Sequence, residues 1–117
     1  MKVAVISSSA QKPNIKIEEY LPEKTTMVIT GGRKGIDVLA ERYASNKGIP
    51  KLICPPKMFK GLKGKDAAYG MGGFMLAFAD MLVAFWDGED KVVKTVIDFA
   101  KSLGKEVVIH RLCPSVE

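Results

Sequence analysis

Histidine, cysteine and tryptophan are scarce in this chain, with one His, two Cys and one Trp among 117 residues. Cys54 and Cys113 stand far apart without a Cys-x-x-Cys or mixed Cys/His cluster, and His110 is the sole histidine. That spacing argues against a zinc site and against a disulfide framework. Cys54 reads as a buried strand residue, Cys113 as a tail thiol and His110 as a structural residue of the last strand. Long apolar runs are missing too: nothing approaches the roughly 20 residues that span a bilayer. The start Met1-Lys2-Val3-Ala4-Val5-Ile6 passes directly into polar Ser7-Ser8-Ser9 without a signal-peptide core. A cytoplasmic protein with no membrane partner, no metal and no cofactor is the expectation.

Eighteen basic against thirteen acidic residues leave a net charge of +5, spread along the chain and not gathered in one block. Such a balance suits an anionic small molecule and permits nucleic acid. At 47% hydrophobic and 26% charged the chain has the composition of one folded domain covering 1–117.

Five apolar segments rich in β-branched residues recur at 2–7, 26–30, 51–54, 81–86 and 106–110. Most are continuous runs, as expected of strands buried on both faces. Helical patterns separate them, so the order βαβαβαβαβ predicts a parallel sheet covered by helices, with right-handed crossovers. One helix is expected over 34–47, with Ile36, Leu39, Ala40 and Tyr43 on one face and Gly48 at its end. Another begins after Asp90 as N-cap and stops at Gly104. Between Gln11 and Lys24 a short helix is expected, closed by Pro22. The Pro- and Gly-rich stretch 55–73 predicts an extended, mobile loop, followed by a helix over about 74–80.

The segment Val28-Ile29-Thr30-Gly31-Gly32-Arg33-Lys34-Gly35-Ile36-Asp37 carries the most chemistry. A strand empties into paired glycines and then a helix N-terminus, where first-turn amides and the helix dipole favour an anion. Gly31, Gly32 and Gly35 are candidate phosphate cradle residues, the alternative being a tight turn needed for packing alone. Arg33 and Lys34 add positive charge, although exposed first-turn cations are commonly just solvated. Asp37 complements the dipole and is a candidate for ribose or ligand recognition. Ser7 and Ser8, with Ser9, end the first strand and offer hydroxyl and amide donors. Trp86, Asp87 and Gly88 form a strand-end turn whose indole could stack on a base or pack under the last helix.

These blocks resemble the SLOG superfamily of Rossmann-like domains, most closely its small YspA-type branch. The resemblance rests on Val28 through Ala44 and on Ala79-Asp80-Met81-Leu82-Val83-Ala84-Phe85-Trp86-Asp87-Gly88, with Ile97-Asp98-Phe99-Ala100-Lys101 beyond. It implies an α/β three-layer sandwich whose five parallel strands run in the order 3-2-1-4-5. Ligand would sit above the strand C-termini, near the topological switch point. Relatives similar to the Lonely Guy phosphoribohydrolases use an arginine, a Gly-Thr turn and a glutamate, whose positions fall here at Met71, Val92-Val93 and Val96. Methionine and valine can neither move a proton nor hold a phosphate. The branch's usual Arg-Asn stretch and Gly-Ser-Arg-like strand end are replaced by Met71-Gly72 and Ser7-Ser8-Ser9.

The resemblance therefore implies nucleotide binding or sensing with no catalytic residues, the rival being a nucleotide-processing enzyme. A third reading takes Lys57, Lys60, Lys63 and Lys65 with Phe59 and Tyr69 as a single-stranded nucleic-acid surface. DprA-like members of the superfamily bind single strands. Met71, Met75 and Met81 with Phe74 and Phe78 read as core or as a homodimer interface, with Gly70, Gly72 and Gly73 permitting close helix approach there.

Overall fold

The computed structural model describes residues 1–8, 15–32, 35–54, 61 and 64–111. Strands β1 (Lys2–Ser7), β2 (Met27–Thr30), β3 (Lys51–Ile53), β4 (Met81–Trp86) and β5 (Glu106–Arg111) form one sheet in the order β3-β2-β1-β4-β5. Every pairing is parallel. Helices α1 (Ile36–Lys47), α2 (Gly64–Phe78) and α3 (Lys91–Ser102) cover its faces. The α/β sandwich and strand order expected from the sequence are those observed. No helix among the described residues is long and apolar enough to cross a membrane.

Side chains alternate across a strand, and β1, β2 and β4 each feed two cores. Val3, Val5, Val28, Val83 and Phe85 pack with Ile36, Ala40, Tyr43 and Ala44 of α1 and with Ile17 and Leu21. On the other face Ala4, Ile6, Ile29, Leu82 and Ala84 meet Met75 and Leu76 of α2 and Val93, Val96 and Ile97 of α3. Burial on both faces explains why the strands read as unbroken apolar runs. Met75 and Met81 are core residues on opposite faces of the sheet.

Helix termini follow the local chemistry. Gly48 closes α1 in the left-handed region at φ 67°. Asp90 caps α3, its Oδ1 accepting from the amides of Val92 at 2.9 Å and Val93 at 3.2 Å. Asp90→Ala is expected to cost about 1 kcal/mol of stability, read by denaturant unfolding. Among the described residues of the first crossover, the helical segment is a 3-10 turn at Ile17–Glu19 that ends before Pro22.

The largest departure lies in α2, which runs from Gly64 to Phe78 where a loop through residue 73 was expected. Interior glycines cost a helix about 1 kcal/mol each relative to alanine, and local propensity alone argued for a loop. Packing overrides it, because Gly72 is buried against α3: a Cβ there would lie 3.2 Å from Val96 Cγ2, and one on Gly73 3.5 Å from Phe99 Cε2. The close approach anticipated between subunits is thus made within the chain, between α2 and α3.

Candidate functional site

The carboxyl edge of the sheet gathers the strand ends that the sequence singled out. At the switch point, between β1 and β4, the ladder continues past the strands. Ser8 donates its amide to the Phe85 carbonyl at 2.9 Å, and Asp87 donates its amide to Ser8 Oγ at 3.1 Å. Ser7 is buried at the end of β1, whereas Ser8 is half-buried on the edge. The Ser8 hydroxyl keeps its own proton available as a donor.

The turn after β2 is held from beneath by residues that the motif reading missed. Thr30 is fully buried and donates its hydroxyl to Glu41 Oε2 of α1 at 2.7 Å. The same Oγ1 accepts from the Gly32 amide at 3.3 Å, so one amide of the expected cradle is already engaged. Cys54, just beyond β3, donates its amide to the Thr30 carbonyl at 2.7 Å. A polar residue closing an apolar strand, with a glutamate eleven positions later on the helix, was the available sequence signal.

Gly31 faces a small gap bounded by three elements. A Cβ there would lie 3.5 Å from Asp37 Oδ2, 3.6 Å from Met71 Sδ and 3.9 Å from the Cys54 carbonyl. Asp37 is 3% exposed, so its carboxylate is built into the site and is not merely a solvated first-turn charge. Gly32 has φ 71° and Gly35 φ 91°, left-handed values that suit glycine. Gly35 is the N-cap of α1 and supplies no side-chain hydrogen bond to the first-turn amides. Arg33 and Lys34 lie outside the described residues.

The β4 turn is self-contained. Asp87 Oδ1 accepts from the amides of Glu89 and Asp90, both at 2.8 Å, and these bonds hold its carboxyl below the usual carboxylate range. Trp86 donates Nε1–H to the Asp90 carbonyl at 3.0 Å. With Asp90 on the first amides of α3, that helix end already carries its own carboxylate. Asp87 and Trp86 therefore shape the edge, and the helix start beside the crevice whose N-cap residue supplies no side-chain bond is that of α1. Arg111, one residue beyond the expected end of β5, pairs with Trp86 in the sheet register and lies 5.7 Å from its ring centroid.

Other candidates have structural roles. Cys54 is a fully buried thiol whose pKa is pushed up by burial, as a nucleophile's would not be. His110 stacks on Phe85 at 5.3 Å and meets Tyr20 edge-on at 4.6 Å, and burial lowers its pKa. Among the described residues no group of three or more His, Cys, Asp or Glu side chains could hold a metal ion. Of the basic loop, Lys57, Phe59, Lys60 and Lys63 lie outside the described residues. Tyr69 is an exposed residue of α2 set against Phe99 at 5.5 Å. A separate cleft of about 430 Å³ lies along α1, where Leu39, Arg42 and Tyr43 face Ile15 and Lys16.

Comparison with family models, curated proteins and solved structures found no match to this chain. Three structural elements and a buried carboxylate converge on Gly31, beside a helix N-terminus without a side-chain cap. That arrangement can take an anionic group on the α1 amides and a hydroxyl on Asp37.

Proposed function

We propose that the carboxyl edge binds a nucleotide or nucleotide-derived ligand at the Gly31–Gly32 turn, making the protein a SLOG-type binding or sensing domain. The observation that carries the reading is the contrast between helix starts: α3 is closed by Asp90, whereas α1 opens behind Gly35 with no side-chain cap. An oxyanion on the α1 amides would gain from the dipole and from donors left over at a helix start. Gly32 adds little of this, because Thr30 engages its amide. The carboxylate of Asp37, in turn, is the partner for a ribose hydroxyl and not for a phosphate.

Catalysis of the phosphoribohydrolase kind has little support in the residues present. Val93 and Val96 are core residues under α2, and Met71 borders the gap at Gly31 with a thioether. A second copy of the chain as partner is supported by Phe78 and Tyr69, which expose 45% and 50% of their surface on α2.

The decisive experiment is thermal unfolding against a panel of nucleoside mono-, di- and triphosphates, cyclic nucleotides and ADP-ribose, comparing the unaltered protein with Gly31→Ala. Ligand at a hundredfold over its dissociation constant stabilises by about 2.7 kcal/mol, a shift of several degrees in a domain this size. The Gly31→Ala variant is expected to melt normally without ligand and to bind at least tenfold more weakly. No shift with any compound in protein shown by mass spectrometry to be ligand-free would overturn the proposal, as would equal shifts in both proteins. Base or ribose phosphate released from a nucleoside monophosphate would establish the enzyme instead.

A further inference from the structure

We infer that Arg111 is an oxyanion-binding residue that forms a second pole of the carboxyl edge. The inference rests on the reading that this edge takes a phosphate-bearing ligand, and it extends that reading to a residue outside the Gly-Gly motif. Three observations place the side chain. Arg111 ends β5 opposite Trp86, the last residue of β4. Its guanidinium lies over the indole at 5.7 Å from the ring centroid. On its other flank is Gly88, at φ 90°, where a Cβ would lie 2.7 Å from Arg111 Nε and overlap the rest of the guanidinium. The turn needs a left-handed residue at Gly88, and the guanidinium fills the space beside its Cα.

An arginine lying over an indole keeps its planar fork of donors. Among the described residues no acid forms a salt bridge with it. The one salt bridge among the described residues joins Lys94 to Asp98. Asp87 commits Oδ1 to the amides of Glu89 and Asp90, and Asp90 commits Oδ1 to those of Val92 and Val93. Asp87 feels Arg111 only as the weakest influence on its ionisation. A planar cation with no salt-bridge partner among the described residues, lying over an indole, is suited to bidentate recognition of a phosphate.

The sheet sets the distance between the two poles. From β2 to β5 there are three strand steps of about 4.8 Å, so the Gly31 turn and Arg111 stand roughly 14 Å apart across the edge. A ligand that engages both has two separated anionic or polar ends, as a dinucleotide does, whereas a small anion samples one pole only.

Trp86 is the only tryptophan, so its emission reports directly on this pole. The test titrates the protein with inorganic pyrophosphate, following Trp86 fluorescence and melting temperature in the unaltered protein, Arg111→Met, Arg111→Lys and Gly31→Ala. Met retains much of the apolar stem, and Lys retains the charge without the planar fork. The expected result is a saturable response that weakens at least tenfold in Arg111→Met, weakens less in Arg111→Lys and persists in Gly31→Ala. An unchanged half-saturation of the Trp86 response in Arg111→Met overturns the inference. So does the absence of any saturable response in the unaltered protein. Loss of the response in Gly31→Ala alone assigns the anion to the first pole and also overturns it. Retention there, combined with failure of every nucleotide to distinguish Gly31→Ala, would sink the Gly-Gly reading while leaving Arg111 as the anion site.

Discussion

Phe85→Ala is expected to remove about 3–5 kcal/mol of stability and to lower the melting temperature by more than roughly 10 °C. Phe85 is 1% exposed on a central strand, where its ring packs edge-on to Tyr20 at 5.4 Å and stacks with His110 at 5.3 Å. Truncation removes the largest fully buried side chain and opens a cavity that flanking strands on both sides keep from collapsing. The same variant has a titration signature. His110 Nε2 is buried with no hydrogen-bond partner, and burial holds the imidazole pKa below its ordinary value. Below about pH 6.5 the unfolded chain takes up this proton before the folded one. Stability present above that pH is therefore lost progressively as pH falls toward the folded-state value. In Phe85→Ala water reaches the imidazole, its pKa rises and this pH dependence flattens. Denaturant unfolding between pH 5 and 8, with NMR titration of His110, measures both effects. A melting temperature within a few degrees of the unaltered protein would show that the ring cluster does not stabilise the fold as its burial implies.

Gly32→Val is expected to cost roughly 1–3 kcal/mol before any ligand is considered. Gly32 sits at φ 71°, where a β-branched residue is strongly disfavoured, and its Cβ would lie 2.8 Å from Ile53 Cγ2. Ile53 is 40% exposed on edge strand β3 and can yield in part, so the backbone strain dominates. Strain at Gly32 also pulls on the amide bonded to Thr30, and through Thr30 on Glu41. The neighbouring Gly31→Ala behaves differently, because its φ is ordinary and the added methyl meets its neighbours at 3.5 Å or more. It is expected to stay within about 0.5–1 kcal/mol of the unaltered protein. The pair separates folding from binding: loss of ligand in Gly31→Ala reports on the site, whereas loss in Gly32→Val reports largely on the turn. Equal unliganded melting temperatures for Gly32→Val and the unaltered protein would contradict the left-handed turn.

The sequence by itself determined the α/β class and the positions of its strands, because burial on both faces imposes unbroken β-branched runs such as Val3-Ala4-Val5-Ile6 and Met81-Leu82-Val83-Ala84-Phe85. It also determined the ends of two helices. Gly48 and Asp90 act through bonds to their own neighbours, so local chemistry suffices. The Gly31-Gly32 turn was legible for the same reason, since positive φ at Gly32 is a local demand.

What the turn faces was decided only by tertiary structure. Asp37 Oδ2, Met71 Sδ and the Cys54 carbonyl come from α1, α2 and the end of β3, and no spacing in the sequence relates them. The full length of α2 was hidden because interior glycines read as loop until Val96 and Phe99 stand close enough to require them. Arg111 looked like a residue just past a strand. Parallel pairing of β4 and β5 sets it against Trp86 and Gly88, a juxtaposition of residues 23 and 25 positions apart that places a guanidinium over the indole at the carboxyl edge.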